Sequence, residues 1–166
     1  MGIFTAAVAL LGKGGPGNTK GRPRARHSED STEPKSIVLV IDDDTDFLGA
    51  TRSLLQSAGY DVLTSSTGPK GLDMLRYAPR DIGAVVLDFN MPRFNGAETL
   101  QFLRKLCPQV KVLAVSGVSA KELPAEFREG VERFVPKPFS SGDLLKTIEQ
   151  LLQESPEAEV SASTSA

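Results

Sequence analysis

Carboxylates, a hydroxyl and a lysine stand at the ends of four apolar runs in this chain. Ser36–Ile41 is followed by Asp42-Asp43-Asp44, and Val85-Val86-Leu87 by Asp88. Val110–Val115 is followed by Ser116-Gly117, and Phe134-Val135-Pro136 by Lys137. Carboxylates brought within a few ångströms repel one another, and each raises the pKa of the others unless a cation is present. Hard oxygen ligands of this kind suit Mg²⁺, which keeps several waters and takes only one or two carboxylates directly. Taken singly, each residue has a plainer reading: Asp88 as a turn aspartate, Lys137 as a surface lysine on a loop.

The four groups meet only if the runs are neighbouring parallel strands. Val85–Leu87 is apolar and partly β-branched, the pattern of a strand buried on both faces, and Pro92 forbids it from continuing as a laddered segment. Strands are predicted at 36–41, 60–65, 82–88, 110–115 and 132–136. Pro136 lacks a backbone donor, which suits an edge strand. A helix near 45–57 is capped by Asp44 or Thr45, carries Phe47, Leu48, Leu54 and Leu55 as its apolar stripe, and is closed by Gly59. Pro69 sits near the first position of a helix running to Tyr77, with Leu72, Met74 and Leu75 inward. Asn95-Gly96 turns into a helix from about Ala97 to Leu106, whose core face is read as Leu100, Phe102, Leu103 and Leu106. Pro124 falls where a long fourth helix would run; interior proline costs about 3 kcal/mol, so a short helix from near Pro124 to before Gly130 is expected. The last helix starts at Ser140 or Ser141 and carries Leu144, Leu145, Ile148, Leu151 and Leu152 on one face.

Strands alternating with helices predict an α/β fold, a doubly wound five-stranded parallel sheet with helices on both faces. In the flavodoxin-like order 2-1-3-4-5, strands 1 and 3 lie side by side at the switch point, where such sheets bind their ligands. That order brings Asp42, Asp43 and Asp88 together. Right-handed crossovers leave few alternatives.

The order and spacing of Asp42-Asp43, Asp88, Ser116 and Lys137-Pro138 resemble those of response regulator receiver domains, over roughly residues 35–153. The resemblance implies Asp43 and Asp88 as direct Mg²⁺ ligands, Asn90 as a ligand through its backbone carbonyl, and Asp42 acting through a water. It implies Asp88 as the nucleophile that takes a phosphoryl group from a phosphohistidine on a sensor histidine kinase or a histidine phosphotransfer protein. Mg²⁺ and Lys137 would neutralise charge on the phosphoryl oxygens. In this family the Lys-Pro bond is typically cis, which would turn Lys137 inward. Ser116 stands where the family more often has Thr and would rotate toward the phosphoryl group. Phe134 holds the place of the switch aromatic that follows that hydroxyl, and also reads as an ordinary core aromatic. Asp44 lies outside the usual acid pair, as a helix cap or an outer charge. Val118, two residues after Ser116, is apolar and would help a water attack the phosphoryl group less than a polar residue would. The segment around Pro124 is shorter than the family's fourth helix, which would alter the face formed by the fourth helix, fifth strand and fifth helix that the family uses for partner binding.

The expectation is therefore a single-domain, stand-alone receiver that catalyses only its own phosphorylation and dephosphorylation, acts in the cytoplasm, and signals through contacts with a downstream protein. An Mg²⁺-dependent phosphatase of haloacid-dehalogenase type also uses a strand-end Asp, but wants Asp-x-Asp-x-Thr/Val; here Asp42, Asp44 and Asp46 leave Thr45 one place early. The 166 residues, 40% hydrophobic with a formal charge of −2, suit one domain plus tails. The lone Cys107 reads as a buried thiol, and the single His27, in a polar segment with no second histidine or cysteine beside it, is assigned no metal role. With no Trp and scattered aromatics, no stacking surface for single-stranded nucleic acid is expected.

Residues 1–35 are read as a disordered, basic extension and 154–166 as a disordered tail, flanking a receiver at 36–153. The apolar stretch Ile3–Leu11 is too short for a membrane span. It lacks the positive n-region and cleavage site of a signal peptide. The extension is read as a solvated tail in preference to a basic arm against nucleic acid or an acidic surface; a misplaced start codon would also explain it. The polar tail is too short for a helix-turn-helix.

Overall fold

The computed structural model describes residues 36–77 and 81–154. The expectations for the extension at 1–35, and for the tail beyond Glu154, lie outside the described residues. Ten elements alternate: β1 (Ile37–Ile41), α1 (Thr45–Ser57), β2 (Val62–Ser65), α2 (Gly68–Tyr77), β3 (Ile82–Asp88), α3 (Gly96–Leu106), β4 (Lys111–Ser116), α4 (Ala125–Glu129), β5 (Arg133–Pro136) and α5 (Ser141–Gln153). All strand pairs are parallel and the sheet order is β2-β1-β3-β4-β5, as expected.

The strand sequences explain the layering. Side chains alternate across a strand, so β1 sends Leu39 and Ile41 to one face and Val38 and Val40 to the other, all fully buried. Leu39 and Ile41 join Val85, Leu87, Leu75, Leu100, Leu103 and Phe127 under α2, α3 and α4. Val38 and Val40 join Val86, Leu113, Val115, Leu48, Leu55, Leu144 and Ile148 under α1 and α5. Cys107 is buried against the first of these layers. β5 is an edge strand, which accommodates Pro136.

Helix ends follow local chemistry. Asp44, not Thr45, caps α1: its Oδ1 accepts from the backbone N–H of Asp46 (2.9 Å) and Phe47 (3.1 Å). The chain leaves α1 through Gly59, whose φ of 85° favours glycine. α3 begins at Gly96, one residue earlier than expected, because Asn95 and Glu98 form a reciprocal capping box. A Cβ at Gly96 would lie 2.4 Å from the Asp88 carbonyl oxygen, so the start of α3 packs directly on the backbone carrying the acceptor. α4 is the short helix expected after Pro124, and ends at Gly130.

One part of the sequence reading needs correction. The core face of α3 is Thr99, Leu100 and Leu103, whereas Phe102 and Leu106 are 48% and 38% exposed. Phe102 stands two residues from Leu100, about 200° around the helix, and cannot share its face. Thr99 is tolerated inside because its hydroxyl donates to the Asn95 carbonyl at 2.9 Å. Arg104, on the same helix, donates to the carbonyls of Gly130 and Val110 and to the Glu132 carboxylate, tying the end of α3 to the chain between α4 and β5. Glu132 also accepts from the Val112 N–H at 2.6 Å, extending the β4–β5 pairing through a side chain.

Candidate functional site

The parallel register carries the chemistry to one edge. Ile41 pairs with Leu87, Leu87 with Ala114, and Ala114 with Phe134, so these four residues form one row across the sheet. One step further along the strands lie Asp42 and Asp88, and beyond them Asp43, Ser116 and Lys137. The four strand-end groups therefore share the carboxyl edge of β1, β3, β4 and β5.

Asp42 and Asp88 are 1% and 4% exposed, while Asp43 faces solvent. Ligand oxygens of the three carboxylates all lie within 4.8 Å of one another. Lys137 Nζ donates to Asp42 Oδ2 at 2.6 Å and to Asp88 Oδ1 at 3.1 Å. Its backbone N–H donates to the Ser116 carbonyl at 2.7 Å, which anchors the lysine to the end of β4, and the Lys137–Pro138 peptide is cis. Asp42 also accepts from the Asp44 N–H at 2.9 Å, so the first acid of the run is held from both sides.

Burial pushes the Asp88 carboxyl above its ordinary range, and the neighbouring Asp42 charge pushes it further. Lys137 and a hydrogen bond from the Asn90 backbone N–H offset only part of that rise. For Lys137, burial alone would lower the pKa, but its hydrogen bonds to Asp42 and Asp88 and their charges outweigh it, leaving the ammonium raised. The site thus holds more negative charge than its one lysine neutralises. Three hard oxygen donors, one of them open to water, fit a divalent cation that retains part of its hydration shell.

Ser116 is fully buried at the end of β4. Its Oγ accepts from Val118 N–H at 3.2 Å and from Asn90 Nδ2 at 3.4 Å. Phe134 and Val118 are partly buried against the layer under α2–α4. Asp44 is spent on its cap. Asp42, Asp43, Asp88, Asn90, Ser116 and Lys137 are brought together; Phe134 stands one row back.

Two residues of this neighbourhood escaped the sequence reading. Lys137 Nζ lies 4.4 Å from the centroid of the Phe47 ring, and Phe139 meets that ring edge-on, with centroids 5.9 Å apart and planes at 78°. In the sequence Phe47 reads only as part of the apolar stripe of α1. Its place in the first turn of a helix that opens at the acid run was the available signal.

Comparison with known proteins agrees with this geometry. The family model for the response regulator receiver domain matches residues 38–149. Sensor kinase CckA of Brucella abortus is 33% identical over 135 residues, covering 79% of this chain and 14% of that protein. Transcriptional regulatory protein CpxR of Escherichia coli K12 is 28% identical over 118 residues, covering 71% of this chain and 50% of that protein. The chain therefore spans half or less of the length of these relatives. Among solved structures, chemotaxis protein CheY4 of Vibrio cholerae superimposes with a TM-score of 0.65 at 27% identity, over 70% of this chain and 98% of that one. A receiver domain protein of Clostridium thermocellum gives a TM-score of 0.65 at 28% identity, over 70% and 94% of the two chains. With a family match across residues 38–149 and the sheet order of its structural neighbours, the chain belongs to the response regulator receiver domains, the signalling domain of two-component systems.

Proposed function

We propose that the domain, spanning residues 36–153, accepts a phosphoryl group on Asp88 from a sensor histidine kinase or a histidine phosphotransfer protein. It then signals through contacts with a downstream protein, in the cytoplasm; among the described residues no helix is long and apolar enough to cross a membrane. The observation that carries this reading is the Asp88 carboxylate at the end of β3, 3.1 Å from the Lys137 ammonium and clustered with Asp42 and Asp43. Asp43 and Asp88 would hold Mg²⁺ directly, Asn90 through its backbone carbonyl and Asp42 through a water. Bound there, the ion supplies positive charge to the transferring phosphoryl oxygens.

The chain's own residues do the rest. An Asp88 carboxylate oxygen attacks phosphorus in line as the N–P bond of the phosphohistidine breaks, and the imidazole leaves and takes up a proton. Lys137, already held beside Asp88, neutralises the charge that the new phosphoryl group brings among the carboxylates. The domain acts on itself, forming and losing its own aspartyl phosphate. Intact-mass spectrometry of the full chain incubated with phosphoramidate, with and without Mg²⁺, tests this directly. An Mg²⁺-dependent phosphate adduct that hydroxylamine removes is expected; no adduct, or an adduct resistant to hydroxylamine, would refute an acyl phosphate.

The metal assignment separates neighbouring acids. Asp43→Ala removes a ligand charge, whereas Asp44→Ala removes a helix cap worth about 1 kcal/mol of stability. In an Mg²⁺ titration Asp43→Ala should lose most of the affinity and Asp44→Ala little of it, while the latter lowers the urea midpoint. Equal losses of affinity would show that the wrong pair was chosen.

Ser116 is proposed as the relay. Its hydroxyl would leave Asn90 and Val118 for the phosphoryl oxygens, vacating space that Phe134 fills. A charge-assisted hydrogen bond is worth roughly 1.5–3 kcal/mol, enough for about a ten- to hundred-fold population shift. Ser116→Ala should therefore still accept phosphate on Asp88 but lose most of the phosphorylation-induced change in amide exchange across Gly117–Phe134. An unchanged exchange response in the Ala variant would remove Ser116 from the relay.

A further inference from the structure

Two carboxylates alone do not define where Lys137 places its charge. The ammonium sits on a flexible four-carbon stem, and Asp42 holds it more closely, at 2.6 Å, than Asp88 does at 3.1 Å. The third side of the ammonium is closed by the face of Phe47, 4.4 Å to the ring centroid. A ring face carries the negative end of an aromatic quadrupole and attracts a cation within about 6 Å, more strongly where water is partly excluded. Here Lys137, Phe47 and Phe139 are all partly buried, and both rings pack against the layer under α1 and α5. Phe139 abuts the Phe47 ring edge-on. The backbone of Phe47 is fixed as well, since its N–H donates to the Asp44 cap at 3.1 Å. The same cap that starts α1 thus fixes the backbone that carries the ring.

We propose that Phe47 is a positioning residue for phosphoryl transfer: its ring, braced by Phe139, holds the Lys137 ammonium at the Asp88 carboxylate. This rests on the phosphoacceptor reading above, with Phe47 acting through Lys137 and touching no reacting atom. An ordinary packing role for Phe47 depends on the shape of the side chain; a positioning role depends also on the electron density of the ring.

The test uses the full chain with Phe47 replaced by Leu, by Tyr, or by a ring-fluorinated phenylalanine that keeps the shape and drains the π face. The rate of Asp88 phosphorylation by phosphoramidate is measured at saturating Mg²⁺. Phe47→Leu should slow it by about ten-fold, and Phe47→Tyr should stay within about two-fold of the parent. The fluorinated ring should fall most of the way to the Leu value although it unfolds at the parent's temperature. In parallel, NMR of labelled lysine should show the Lys137 side-chain methylene next to the ammonium shifted upfield by the ring, a shift lost in Phe47→Leu. A fluorinated variant as fast as the parent overturns the positioning role while leaving the phosphoacceptor reading intact. A Lys137 methylene that does not respond to Phe47→Leu overturns the contact itself. A parent that takes no phosphate on Asp88 overturns the phosphoacceptor reading, and the inference with it.

Discussion

Asp88→Asn is expected to take no acid-labile phosphate from acetyl phosphate or phosphoramidate, because an amide oxygen is not the nucleophile a carboxylate is. The variant should nevertheless fold, and in the absence of divalent metal it should be more stable than the parent at neutral pH. The sign follows from the raised Asp88 carboxyl, which burial and the Asp42 charge drive up. A group whose pKa is raised on folding contributes stability below its unfolded pKa and loses it as pH rises through the folded value. At neutral pH the ionised Asp88 is therefore a cost, which Asn removes. The gain in melting temperature should shrink as pH falls from the folded-state pKa of Asp88 toward its lower unfolded value. Thermal melts in a chelator, at several pH values, check this; an Asn variant less stable than the parent at neutral pH would mean that the Lys137–Asp88 pair outweighs the burial of the charge.

Lys137→Ala should have the next largest effect, and its two consequences run in opposite directions. Loss of a preorganised cation beside the transferring group typically costs about 10²-fold in rate or more, so phosphorylation should slow by about a hundred-fold. Mg²⁺ should bind more tightly at the same time, because the ammonium that neutralises Asp42 and Asp88 competes with the metal for the same negative charge. Calorimetric titration with Mg²⁺ alongside a phosphorylation time course measures both. A variant that loses metal affinity together with rate would show that Lys137 organises the acid cluster instead of competing for it.

The strand ends were legible in the sequence because each combines an apolar, β-branched run with an abrupt polar stop, and a parallel sheet has only one edge where such stops can meet. The short α4 after Pro124 and the edge position of Pro136 followed from backbone rules that act locally, whereas the sheet order came from the few topologies open to a doubly wound sheet and from the need to bring the acids together. The α3 face was less legible. Phe102 and Leu106 are large and apolar, and composition alone sends them inward, whereas helical phase sends Thr99 in and turns Phe102 away; Leu106 shares the phase of Thr99 and Leu103 but is the last residue of α3, and stays 38% exposed there. Phe94 stacks obliquely on Phe102 and the Lys105 ammonium lies 5.4 Å from its ring, contacts that partly cover it without burying it. The Phe47–Lys137 contact joins the first turn of α1 to the loop after β5, so apolar periodicity within either segment does not show it, and only the closeness of Phe47 to the acid run hints at it. The Arg104–Glu132 tie is hidden for the same reason: its partners lie on different elements, and nothing in either segment's periodicity announces it.

The central claim is that one carboxylate among four neighbouring acids carries the phosphoryl group, and its position can be read chemically. Borohydride reduces an acyl phosphate to an alcohol, so phosphorylated chain treated with borohydride and digested should show homoserine at position 88, with Asp42, Asp43 and Asp44 unmodified. Homoserine at any of those three positions, or none in a chain that demonstrably carries acid-labile phosphate, would contradict the assignment of Asp88.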